Sequence, residues 1–126
     1  MGRHDDIVWY LNAAEDDLGP VLVLVLEGRL STATIPPIAG RLAQAAERWR
    51  AVVVDLTGVD YINGAAVRAF ESAAKALGAA GGELVACGLR PVIRAAFELA
   101  GPIPHLTIEA SSQAAVDRLL GREPGA

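Results

Sequence analysis

The chain has 126 residues, 15 acidic against 11 basic side chains, a formal net charge of −4 and 52% apolar residues, two histidines and one cysteine. That is enough chain for one domain with a real core, and the acidic balance argues against a nucleic-acid partner, which needs clustered Lys and Arg. Arg41, Arg48 and Arg50, the nearest approach to a cluster, read as the wet face and end of a helix.

No apolar stretch nears the roughly 20 residues of a membrane-spanning helix. The N-terminus, MGRHDDIVWY, lacks an apolar core of signal-peptide length, and Asp6 stands where a myristoylation signal after Met1-Gly2 wants Ser or Thr. The expectation is a cytoplasmic protein without membrane insertion. Cys87 cannot form an internal disulfide and reads as a buried thiol.

In chain order, residues 1–5 are expected to fray. Ile7–Leu11, rich in aromatic and β-branched types, reads as a first strand. Asn12–Pro20 is a polar connection, and Val21–Glu27 (VLVLVLE) is a second strand, apolar on both faces and so inside the sheet. Gly28–Thr34 is a turn. Pro36 and Pro37 belong in a first helical turn, which makes Thr34 the favoured cap, with Ser31 the alternative. Ile35, Ile38, Leu42, Ala45 and Trp49 form the apolar stripe of that helix.

Ala51–Val54 is a buried strand, closed by Asp55 and followed by turn chemistry at Thr57-Gly58. After Tyr61-Ile62, Asn63-Gly64 opens a second helix that runs to Leu77. Val67, Phe70, Ala74 and Leu77 form its apolar side, with Glu71 and Lys75 at the favourable four-residue spacing. Glu83–Cys87 is a strand. A third helix ends at Ala100 with Val92, Ala96, Phe97 and Ala100 as its apolar side. His105–Glu109 is a last strand, and Ser111 or Ser112 caps a final helix over about Gln113–Leu120. The order ββαβαβαβα implies a mixed, mostly parallel α/β sheet in a single domain over residues 1–126, with its core at about 7–120 and tails at 1–5 and 121–126.

Catalytic and cofactor motifs are missing. No P-loop or GxGxxG is present, because GAAGGEL leaves a helix and enters a strand. His4 and His105 are too few and too far apart for a metal site. A Cys87–His105 pair would need an exposed, activated thiol. Asp55 and Asp60 read as strand-end residues satisfying turn N–H groups. No cofactor, metal or enzymatic activity is expected.

Three stretches carry a resemblance: GRLSTATIPPIAGRL, VVVDLTGVDYINGAAVRAF and GGELVACGLRPVIRAAFELAG. Their order and spacing resemble the STAS domain, the fold of bacterial anti-sigma-factor antagonists, over about Ile7–Leu120. The resemblance implies a partner-binding loop of the pattern Asp-Ser-Ser-Gly-Leu. A kinase-type anti-sigma factor phosphorylates a serine in that loop, and the added charge breaks the complex. Here Asn63, Gly64, Ala65, Ala66 and Val67 occupy those five positions, so no hydroxyl remains. Ser31, which replaces an acidic residue of the first stretch, Thr32 and Thr57 lie in neighbouring turns and are the candidate substitute acceptors.

The resemblance therefore implies a non-enzymatic regulatory domain that binds its partner constitutively. That partner would be an anti-sigma factor of the serine-kinase ATPase type or another protein of a STAS assembly, with a homodimer left open. A second reading is a subunit of a lipid-transport ABC complex or stress-signalling assembly. A third, from another class, is an anion- or nucleotide-binding protein using the helix N-terminus at Asn63-Gly64.

Overall fold

The computed structural model of the chain describes residues 10–16 and 19–121. Its elements are β1 (Tyr10–Asp16), β2 (Gly19–Leu30), α1 (Ile35–Arg48), β3 (Ala51–Ile62), α2 (Gly64–Ala79), β4 (Glu83–Cys87), α3 (Pro91–Ala100), β5 (Leu106–Glu109) and α4 (Ser112–Leu119). One five-stranded sheet in the order β1-β2-β3-β4-β5 results, antiparallel between β1 and β2 and parallel from β2 to β5. This is the ββαβαβαβα arrangement expected from the sequence.

Alternation along the strands sorts the core into two layers. Leu22, Leu24, Leu26, Val52, Val54, Leu56, Leu84 and Ala86 face α1, α2 and α3. Val21, Val23, Ala51, Val53, Val85 and Cys87 face α4, which contributes Ala115 and Leu119. Both faces of the central strands are therefore covered, which is why β2 and the start of β3 read as unbroken apolar runs.

Five local expectations are corrected. Asn12–Asp16 belongs to β1 and pairs with Val23–Gly19, where a polar connection is expected from the sequence. Residues 7–9 of the expected first strand, the segment 1–5 expected to fray and the tail from 122 lie outside the described residues.

Strand β3 does not stop at Asp55. It continues through Thr57-Gly58 to Ile62, paired with β2 across two register shifts. Val25 faces Asp55 but Glu27 faces Gly58, and Gly28 faces Val59 but Arg29 faces Tyr61, so β3 carries an extra residue at each step. The residues that look like a turn are there to form bulges, which need the same chemistry. β2 likewise runs on to Leu30, with Gly28 at φ 108°, a conformation that favours glycine.

Thr34 stands at the N-cap of α1 but caps nothing with its side chain. Its hydroxyl instead donates to the Arg29 carbonyl at 2.5 Å and accepts the Ser31 N–H at 2.9 Å. In α3 the buried pair is Ile93 and Phe97 rather than Val92 and Phe97, and Val92 and Ala100 face water. The helix starts at Pro91, just after Arg90, whose Nε bonds the Thr57 carbonyl on β3, and the i, i+4 pair beginning at Ile93 is the one that meets the sheet.

Candidate functional site

The carboxyl ends of the parallel strands and the helix N-termini that follow them share one pole of the molecule, where open α/β sheets commonly place their binding loops. Two loops meet there. The β2–α1 turn brings Ser31 and Thr32, and the end of β3 brings Asn63 at the start of α2.

Asn63 joins them. Its N–H donates to the Leu30 carbonyl at 3.1 Å, its Oδ1 accepts the Ala66 N–H at 3.2 Å, and its Nδ2 donates to Thr32 Oγ1 at 3.2 Å. One side chain thus caps α2 and pins the β2–α1 turn against it.

The candidate residues occupy different depths. Thr32 and Gly64 are exposed, while Ser31, Asn63 and Ala65 are half-buried. Ala66 and Val67 belong to the core, packed under the helix. What the N-terminus of α2 presents outward is therefore Gly64 and Ala65. The first turn of α2 carries no acidic residue, so the positive end of the helix dipole is uncompensated from within. Arg68 folds back along this end, where a Cβ on Gly64 would lie 3.3 Å from its Nη1.

Thr57 is not brought to this cluster. It sits six residues back along β3, at about 3.3 Å per residue. Asp55 Oδ1 accepts both its N–H at 2.9 Å and its hydroxyl at 2.6 Å. Its carbonyl accepts Arg90 Nε at 3.0 Å, tying the first bulge of β3 to the start of α3. Gly88, at φ 69°, passes so close that a Cβ there would collide with Thr57 Oγ1.

Sequence reasoning passed over Arg29 and Tyr61. They face each other across β2 and β3, with the guanidinium carbon 4.0 Å from the ring centroid. The contact depends on a bulge-shifted register between residues far apart in the chain, and no local pattern marks it.

Cys87 and His105 do not form a dyad. Cys87 is fully buried, its Sγ 3.6 Å from the Val54 carbonyl, and burial, with Asp55 and Glu109 adding to it, pushes its thiol from 9.0 up to about 12. His105 lies on the surface at the far end of the β4–β5 pair, in a left-handed conformation at φ 66°, with its ring against Gly78. A thiol held protonated in the core cannot serve as a nucleophile near neutral pH.

With this geometry in place, the family follows. Residues 12–115 match the STAS domain model, and the chain belongs to the STAS-domain family. It is 34% identical over 101 residues to BtrV of Bordetella bronchiseptica, a protein named as an anti-sigma factor antagonist, covering 79% of this chain and 87% of that one. Its fold is similar to that of an anti-sigma factor antagonist from Mycobacterium paratuberculosis (TM-score 0.76, 19% identity, 94% of this chain and 98% of that one). It is also similar to the unphosphorylated form of the antagonist SpoIIAA (TM-score 0.69, 17% identity, 90% and 99%). The chain is an anti-sigma-factor-antagonist-like STAS domain.

Proposed function

We propose that this domain is a cytoplasmic, non-enzymatic regulatory module that binds its protein partner constitutively through the N-terminus of α2 and the adjoining β2–α1 turn. The partner is an anti-sigma factor of the serine-kinase ATPase type or another protein of a STAS assembly. The observation that carries this reading is the outward face of the α2 N-terminus. The Asn63 cap keeps the loop in shape, while Gly64 and Ala65 offer no hydroxyl to phosphorylate.

The neighbouring hydroxyls support an unswitched site because each already has a structural task. Ser31 Oγ lies 3.5 Å from Thr34 Oγ1, Thr32 Oγ1 holds Asn63, and Thr57 Oγ1 holds Asp55. Constitutive binding follows when the one group whose charge would break the contact is replaced by a methyl.

The experiment is a tagged pull-down from the native cytoplasm read by mass spectrometry, comparing the native chain with Ala65→Glu. The expected outcome is an ATPase-type anti-sigma factor recovered with the native chain and lost with the variant. Recovery of transporter or multi-STAS proteins with both would make the domain a structural subunit and overturn the role of this face.

A further inference from the structure

Strand β5 ends the sheet, bonded to β4 on one side and to no strand among the described residues on the other. One bond fixes the phase of its ladder. The Leu84 N–H donates to the His105 carbonyl at 3.0 Å, and Leu84 is in register with Leu106. Bonding direction alternates along a strand, so His105, Thr107 and Glu109 turn their backbone groups to β4 while Leu106 and Ile108 turn theirs outward. The Leu106 N–H is already occupied, donating to the Ile103 carbonyl at 3.2 Å. That leaves the Leu106 carbonyl and both backbone groups of Ile108 at the open edge.

Sheet edges are usually guarded by a Lys, a Pro, a bulge or an inward charge. β5 reads LTIE and pairs with β4 in unbroken register, and its one charge, Glu109, is held by Arg118 Nε at 2.9 Å on the α4 side. On the helix side Leu106 and Ile108 floor an apolar cleft of about 400 Å³, walled by Phe97, Pro102 and Ile103. Helix α3 packs on β3 and reaches this cleft only with its flank.

We propose that this edge pairs with β5 of a second copy of the chain, antiparallel, about a two-fold axis at Ile108. Open backbone donors and acceptors select an extended strand as the occupant. A foreign strand is chosen by pockets for its alternate side chains, and β5 offers four residues and a single cleft. A two-fold pair requires only that the edge complement itself. Ile108 is the one residue of β5 with both groups free, so opposed to itself it exchanges two hydrogen bonds. An axis at Leu106 would need the N–H that Ile103 holds.

The side chains agree with that register. Ile108 meets Ile108 of the copy on the helix side, a β-branched pair that covers part of the cleft. Thr107 opposes Glu109 of the copy on the α4 side, so no like charges face each other. The sheet continues as ten strands, and the antiparallel joint sets the two α2 N-termini at opposite poles. The face assigned to the partner stays open in both copies, and that reading stands or falls separately.

The test is sedimentation velocity of the full chain from about 1 to 100 μM, the span in which small interfaces dissociate. The native chain should form a reversible dimer and Ile108→Pro should sediment as a monomer. Proline removes an N–H that β4 does not use, so circular dichroism should show the fold retained. Ile108→Cys should give a disulfide-linked dimer under mild oxidation. A hydrogen-bonded antiparallel pair sets its Cα atoms about 5.5 Å apart, which a disulfide spans. Gln113→Cys on α4 is the control, and Cys87 is buried and adds no background.

A native chain that stays monomeric throughout, a dimer that survives Ile108→Pro, or an Ile108→Cys disulfide no faster than that of Gln113→Cys would each overturn the β5 contact. Should Ile108→Pro lose its fold, the comparison of the two cysteine variants decides.

Discussion

At the scale of single residues, Asn63 does the most. Its carboxamide caps α2 and anchors Thr32, so the geometry of the whole candidate face depends on one side chain. Asn63→Ala should cost about 1 kcal/mol in stability, the usual value of a lost cap, measured by urea unfolding. It should also raise amide exchange in residues 29–34 as well as at the start of α2. Faster exchange confined to α2 would mean that the Thr32 contact holds nothing. The capping role was legible in the sequence, since Asn before a helical pattern is a strong signal. The tether to Thr32 was not, because it spans 31 positions and depends on where β2 ends.

At the scale of elements, α4 is the shortest of the described helices. It is 8 residues long, buries only Ala115 and Leu119 on the sheet, and covers that face alone among the described helices. Arg118 fastens it, with Nη2 2.7 Å from Glu83 Oε2 on β4 and Nε 2.9 Å from Glu109 Oε2 on β5. Thr107 Oγ1 also donates to Glu83 at 3.1 Å, so the carboxylate is shared by three elements. The hydrogen bond to Glu83 pushes the already high guanidinium pKa further up, so the charge is present throughout the accessible pH range. Arg118→Ala should cost about 1 kcal/mol, less at high salt, because the pair is partly exposed. Hydrogen exchange should quicken selectively over residues 112–119. A uniform change along the chain would count against Arg118 as the clasp. The helix itself was expected from Ser111 and the pattern after it. Its clasp was not, since three charges from separate elements share no local spacing.

For the molecule as a whole, stability rests on the layer between the sheet and α1, α2 and α3. Phe70 sits at its centre, fully buried, with its ring against Phe97. Phe70→Ala should cost about 3–5 kcal/mol, combining lost transfer energy with a cavity that close packing cannot fill. Against a total of about 5–15 kcal/mol for an ordinary domain, the variant should unfold at markedly lower urea or temperature. A cost below about 1 kcal/mol in urea unfolding would mean that this layer repacks freely and is not the main core.

The sequence by itself determined the order of elements, the apolar stripes of α1 and α2, the family, and the lack of a hydroxyl at Gly64 and Ala65. These are encoded by periodicity, caps and local residue types, which act over a few positions. Only the tertiary structure decided that β3 continues through its turn-like residues, because two bulges against β2 use the chemistry of a turn. It alone turned Ile93 rather than Val92 into the core, separated Thr57 from Asn63, and left Val92 and Leu99 exposed. In each case the outcome depends on which distant element packs alongside. That is set by sheet register and crossover geometry, which no short stretch of chain contains.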